Sequence, residues 1–170
     1  MNKHILAATL GLSLSLTACA TVRTPPSTPA GADFLTRNAA AKRVVTTPSG
    51  LQYFIVKSGP KNGISPVAGN EVTFDYEGKL TTGETFDSSL ARGTPLTGDI
   101  DNFVPGFTEA LKLMRPGDEW IVWIPPALGY GAETKGPIPG NSVLRFRLAL
   151  HSVTPAPVTA PVPAPDPAAQ

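Results

Sequence analysis

The chain of 170 residues holds one cysteine, Cys19, so neither an internal disulfide framework nor a cysteine-rich metal site is available to it. Histidine is almost as scarce. His4 and His151 stand far apart and outside any cluster of ligands, which leaves metal-dependent hydrolysis without support. Charge of one sign is missing too: 14 Lys and Arg against 13 Asp and Glu give a net charge of +1, with no long basic run. Nucleic-acid binding rests on clustered Lys and Arg, so it is excluded as a reading. No G-x-S-x-G elbow, P-loop or dinucleotide fingerprint occurs. The expectation is a chain that works without metal, cofactor or nucleic acid. Its length suits one domain with a real core rather than two.

Proline, by contrast, is abundant, and much of it lies at the two ends. At the first end, Lys3 supplies a positive charge ahead of the apolar run Ile5 to Leu16, which is too short for a permanent membrane helix. The ending Leu16-Thr17-Ala18-Cys19 resembles the bacterial lipobox, whose cysteine is acylated and becomes the mature N-terminus. Residues 1–18 are read as a lipoprotein signal peptide and Cys19 as the lipid attachment site, with fatty acyl chains of the palmitate class as membrane anchor. In lipobox proteins an aspartate after the cysteine signals inner-membrane retention. Ala20 stands there, so the expected location is the outer membrane, facing the periplasm. Residues 19–46 form a Pro/Thr/Ser tether, with a short helix expected over Asp33 to Arg43 and capped by Asp33. Residues 154–170 carry proline at every second or third position, a polyproline-II-like spacer or a proline-rich ligand for an envelope partner.

Between the tails, residues 47–153 pattern as an α+β domain. Thr47 to Gly50 is a turn and Leu51 to Lys57 the first strand. Glu71 to Leu80 and Thr85 to Ser88 make a hairpin around Thr82-Gly83. Val104 to Met114 is the one convincing helix, because Phe107, Ala110, Leu111 and Met114 share one apolar stripe. Asp118 to Ile124 and Ser142 to Val153 are strands, with a long loop between. Leu96 to Asp101 is left unassigned.

Alternation in the hairpin puts Val72, Phe74, Tyr76 and Leu80 on one buried face. Tyr76 brings a phenol into that face, and Asp87 is the nearest group by topology to meet its hydroxyl. Asp75 and Glu77 point the other way and read as a solvated edge, with His151 as a surface residue. Tyr76, Phe86, Phe103, Phe107, Tyr130 and Phe146 lie near loop ends, as core residues or as the walls of an apolar pocket. On the strand 118–124 both faces are apolar. With Trp120, Val122 and Ile124 inward, Ile121 and Trp123 face outward, as a contact surface or beneath Arg145 or the N-terminal segment.

Three stretches carry a family resemblance: YEGKLTTGETFDSS at 76–89, FVPGFTEALKLMRPGDEW at 103–120 and IPPALGYGAETKGPIPGNSVLRFRLAL at 124–150. In order and spacing they resemble the FKBP-type peptidyl-prolyl cis/trans isomerases. The lead-in TPSGLQY is similar to the branch that includes the macrophage infectivity potentiator proteins. The resemblance implies a strongly bent antiparallel sheet over one short helix, and isomerisation of X-Pro bonds in folding envelope proteins. It implies catalytic roles for Asp87 and Tyr130, and substrate binding by Tyr76, Phe86, Phe103, Val104, Phe107, Ile138 and Phe146. Proline-containing polypeptides are the implied partners and macrolides of the FKBP class the implied inhibitors. The helical dimerisation segment of that branch is reduced here to Asp33 to Arg43, so a monomer is expected. Four departures stand out: Phe107 where the family usually has tryptophan, Leu96 where an aromatic is common, a loop from Ala132 to Pro139 shorter than in many relatives, and Gly140 in place of a common proline. The first two motivate an alternative, a proline-peptide-binding module or chaperone without turnover.

Overall fold

The computed structural model describes residues 29–156. The expected signal peptide 1–18, the expected lipid site Cys19, the expected tether up to residue 28 and the tail from residue 157 lie outside the described residues. The elements in order are α1 (Pro29–Ala39), β1 (Val45–Thr46), β2 (Gln52–Lys57), β3 (Glu71–Leu80), β4 (Thr85–Ser88) and α2 (Ser89–Arg92). They are followed by β5 (Leu96–Asp99), α3 (Pro105–Leu113), β6 (Glu119–Ile124) and β7 (Leu144–Thr154).

Every strand pairs antiparallel, in the order β1-β2-β6-β7-β3-β4, with β5 also on β3. Strand β3 is the spine. One edge pairs with β7 along its whole length, and the other is shared: β5 takes Glu71 to Phe74 and β4 takes Glu77 to Lys79. The strict alternation of β3 buries Val72, Phe74, Tyr76 and Leu80. Helix α3 lies against this inner face with Phe107, Ala110, Leu111 and then Met114 buried. Gly106 permits the approach, since a Cβ there would stand 2.6 Å from Ile124 Cγ2. The result is an α+β domain with a sheet wrapped on one helix, as the pattern of apolar residues implied.

Short elements depart from the sequence reading. Helix α1 starts at Pro29 and ends at Ala39, so Asp33 lies inside it rather than capping it. Proline is well suited to a first turn, where its missing N–H has no partner to lose. Residues 40–43 turn instead, and Arg43 adopts a left-handed φ of 69° with its guanidinium 4.8 Å from the Phe54 ring. So short a helix is not stable alone. Gln52 docks it on the sheet, donating to Leu35 O at 2.9 Å and accepting from Asn38 at 2.8 Å. Helix α2 and β5 were not foreseen. Ser88 caps α2 by accepting from the Ala91 amide, and Gly93 ends it at φ 69°. That turn returns the chain to the upper half of β3.

Asp75 is not on a solvated edge, because β3 is interior. Its carboxylate accepts from buried Ser89 at 2.7 Å and contacts His151 Nε2 at 2.8 Å. The Ser89 and His151 contacts hold the Asp75 carboxyl below the usual carboxylate range, against the opposing effect of burial. Ile121 and Trp123 do face outward and are half-buried. Trp123 lies opposite Gln52 on β2 and Arg145 on β7, at the position where Gln52 holds α1.

Candidate functional site

Between α3, the sheet and the loop from Tyr130 to Ile138 lies an open cavity of ≈ 550 Å³. Its floor is Phe107, placed by the first turn of α3 and only 6% exposed. The Phe107 ring stands 5.0 Å from Phe146, 5.3 Å from Phe103 and 5.3 Å from Phe74, with the Phe146 contact edge-on. Phe86 stands edge-on to Phe146 at 5.5 Å and extends the wall toward solvent. Such edge-to-face sets are the preferred aromatic geometry and fix the shape of the floor.

The walls contain all nine residues singled out for the domain. Tyr76, Phe86, Asp87, Phe103, Val104, Phe107, Tyr130, Ile138 and Phe146 line this one cavity, together with Leu96. Cys19 lies outside the described residues. Four lining residues were not foreseen: Asn102, Lys135, Gly136 and Pro137. A fifth omission shapes the wall without a side chain. Gly78 lies on the buried face of β3, where a Cβ would stand 2.5 Å from the Phe86 ring and 2.8 Å from Phe146. Its place in the alternation, an apolar position occupied by glycine, was the available signal.

At the rim the expected pair is present: the Tyr76 hydroxyl donates to Asp87 Oδ2 at 2.5 Å. A third member, Arg92, was missed. From the end of α2 it donates to Asp87 Oδ1 and, at 2.7 Å, to the Tyr76 oxygen. Burial pushes the Asp87 carboxyl up, but the Tyr76 hydroxyl, the Arg92 guanidinium and the Ser88 amide outweigh it. Its net pKa lies below the ordinary value. Burial and the neighbouring carboxylate push the Tyr76 phenol up. Asp87 is thus ionised and fixed in orientation at neutral pH. The sign follows: its stabilising contribution is complete above the ordinary carboxylate range and lost as pH falls through the lowered value. Arg92→Met removes one of the lowering contacts. It is expected to move the Asp87 titration upward, read as the carboxyl carbon shift by NMR.

Several polar groups of the cavity are left to meet a ligand, the Val104 amide and the Tyr130 hydroxyl among them. Among the described residues the Val104 amide donates to no protein acceptor, while its carbonyl starts α3 by accepting from Phe107 and Thr108. Tyr130 lines the cavity beside the turn closed by Gly131 N to Pro126 O, and its hydroxyl likewise has no partner among the described residues. Gly140 has a local reason. A Cβ at this position would meet Ala132 O at 2.2 Å, so the loop from Ala132 folds back over a bare backbone. Among the described residues no group of three or more His, Cys, Asp or Glu is arranged to hold a metal.

The family model described as FKBP-type peptidyl-prolyl cis-trans isomerase matches residues 62–151, more than half of the chain. A second, the domain amino terminal to FKBP-type peptidyl-prolyl isomerase, matches residues 23–55. The chain is 42% identical over 121 residues to the peptidyl-prolyl cis-trans isomerase Mip of Coxiella burnetii, covering 71% of this chain and 52% of that protein. It is 41% identical over 124 residues to the outer membrane protein MIP of Legionella longbeachae, covering 72% and 52%. The chain thus spans about half the length of these curated relatives. The crystal structure of FkpA from Escherichia coli superposes with a TM-score of 0.71 at 40% identity, over 75% of this chain and 59% of that one.

Proposed function

The chain belongs to the FKBP-type peptidyl-prolyl cis-trans isomerase family, and on that premise we propose that it accelerates X-Pro isomerisation in proteins folding in the cell envelope. The observation that carries this reading is an aromatic floor at Phe107 beneath a fixed carboxylate at Asp87 and an unspent amide at Val104.

Rotating an amide costs about 18–20 kcal/mol, because resonance gives the bond double-bond character. At X-Pro the cis and trans forms lie close in energy, yet they interconvert in tens to hundreds of seconds. Twisting localises the lone pair on the proline nitrogen and makes the amide less polar. A pocket that strips water from the planar, polar amide therefore favours the twisted form, which is differential binding of the transition state. Phe107, Val104 and Phe146 take the proline ring, with Tyr76, Phe86, Phe103 and Ile138 closing the apolar walls. The Val104 amide and the Tyr130 hydroxyl hold substrate carbonyls and set the bend of the peptide. Asp87 lies beside the rotating carbonyl, oriented by Tyr76 and Arg92. No bond is made or broken, so no nucleophile is needed.

The test is a proline-peptide isomerisation assay on the protein lacking residues 1–18. Catalysis blocked by a macrolide of the FKBP class is the expected result. Peptide binding without rate enhancement would favour a non-catalytic binding module instead. Asp87→Val is expected to lower kcat/KM at least ~10-fold, about 1.4 kcal/mol of transition-state stabilisation. Its thermal midpoint should hardly move, because the Asp87 side chain is 44% exposed and Tyr76 keeps its bond from Arg92. Wild-type rates in this variant would remove Asp87 from the mechanism.

The same reading places the protein on the envelope membrane, lipid-anchored through Cys19 and facing the periplasm. The sequence Leu16-Thr-Ala-Cys19 supports this, and so does a relative named as an outer membrane protein. Cys19→Ser should abolish incorporation of a labelled fatty acid and release the protein into the soluble fraction. We read it as a monomer, a reading supported by α1, which is tied back to its own sheet through Gln52.

A further inference from the structure

The last described residue, Ala156, is joined to the cavity lining by a short run of contacts. Strand β7 ends at Thr154, opposite Glu71. Two residues on, Ala156 packs against Gly69, where a Cβ on the glycine would stand 3.6 Å from that of Ala156. The Gly69 amide donates to Asp101 at 2.7 Å, and the next residue, Asn102, lines the cavity. Three such steps put the exit on the order of 15 Å from the cavity rim.

From there fourteen residues follow, PVTAPVPAPDPAAQ, with four X-Pro bonds among them. In a polyproline geometry of about 3.1 Å per residue, Pro163 reaches roughly 22 Å from Ala156. The span is sufficient. Val162-Pro163 is also the one X-Pro pair of this tail with a bulky apolar residue before the proline. A second observation concerns charge. The tail carries a single ionisable side chain, Asp166, three residues beyond Pro163. Lys135 stands at the cavity mouth, where its backbone is pinned by reciprocal hydrogen bonds with Ile138 at 2.8 and 3.0 Å. Among the described residues Lys135 has no carboxylate partner.

We infer that segment 157–170 of this chain docks in its own cavity as a tethered X-Pro ligand, with Val162-Pro163 on the Phe107 floor and Asp166 toward Lys135. The inference rests on the reading of the cavity as a proline site. It makes the tail a competitor of substrate. A short tether gives an effective concentration on the order of millimolar. Substrate constants commonly lie at or below ~1 mM, so the tail holds the site for much of the time.

The experiment compares three proteins: the full chain, the chain ended at Ala156, and the full-length triple variant Pro161→Ala, Pro163→Ala, Pro165→Ala. Both altered proteins should show kcat/KM raised roughly two- to tenfold, independent of protein concentration. The Val104 and Ile138 amide resonances should shift between the full chain and either of them. Asp166→Lys should give part of the gain, and the gain should shrink as salt rises. Equal rates and superimposable amide resonances in active proteins would overturn the inference and leave the isomerase reading intact. Inactive proteins that still show the amide shifts would uphold the docked tail and remove the catalysis instead. A gain that disappears when the full chain is diluted would place the tail in another molecule and overturn the intramolecular contact.

Discussion

Phe107→Ala is expected to lower stability by about 3–5 kcal/mol and to abolish isomerisation in the same step. Phe107 belongs to two structures at once. Its ring closes the core against Phe74 and Leu111, and its outward face is the cavity floor against Phe103 and Phe146. Truncation leaves a void lined by four other aromatic rings, Phe74, Tyr76, Phe103 and Phe146, which cannot all collapse into it without opening the sheet. At roughly 4–8 °C per kcal/mol for a domain of this size, the thermal midpoint should fall by at least ~12 °C. Phe107→Leu fills more of the space and should fold, so it isolates the loss of the floor from the loss of the core. A leucine variant with unchanged kcat/KM would show that the aromatic floor does not select the twisted amide. Phe107→Trp restores the residue usual in the family, and the open cavity has room for the added ring. It should bind proline peptides more tightly than the wild type.

Gly78→Val is the second large effect, and it acts through space rather than chemistry. The first carbon added would lie 2.5 Å from Phe86 and 2.8 Å from Phe146, well inside contact distance. Phe146 is pinned between Phe107 and Tyr76 and only 6% exposed, so it has nowhere to go. Phe86, half-buried, is the ring that yields, and it leaves the cavity wall when it does. Overpacking of this kind costs about 1–3 kcal/mol. The activity should fall much further than the stability, because the displaced Phe86 ring no longer forms the cavity wall. Gly78→Ala should show the same order of effects on a smaller scale. Thermal melting and kcat/KM, measured on both variants, separate the two losses. A valine variant with normal turnover would mean that the Phe86–Phe146 wall is not part of the site.

The hairpin shows how far local pattern reaches. The alternation of Val72, Phe74, Tyr76 and Leu80 fixes which face of β3 is buried, whatever the rest of the chain does, because side chains in a strand alternate with period two. A phenol on that face needs a polar partner, and the short loop at Thr82-Gly83 leaves Asp87 as the one within reach. Gly83 takes φ 95° in the structure, and the hydroxyl meets the carboxylate. The α3 stripe is legible for the same reason, since its period of 3.6 places Phe107 and Met114 on one line.

Arg92 shows where that reach stops. Nothing periodic marks it, and it follows a residue run without a strong helix signal. Its role depends on α2, a single turn whose existence rests on the Ser88 cap, the left-handed Gly93 and the return of β5 to β3. Lys135 is likewise a polar residue in a loop and Asn102 ends a single 3-10 turn, where side-chain direction follows from packing rather than from repeat. Gly140 reads as a departure from the family pattern, and only the fold shows the Ala132 backbone lying across it.

The sequence by itself determined the buried face of each long strand, the one core helix, the family and the residues able to form an apolar proline site. Those follow from periodicity and residue chemistry, which act over a few neighbours. The tertiary structure alone decided that β3 is interior, that Arg92 completes the Tyr76–Asp87 pair, that Gly78 leaves room for the Phe86–Phe146 wall and that Ala156 packs at Gly69, which Asp101 ties to the segment lining the cavity. Each of these joins residues distant in sequence, and such contacts form only when the whole sheet closes over α3.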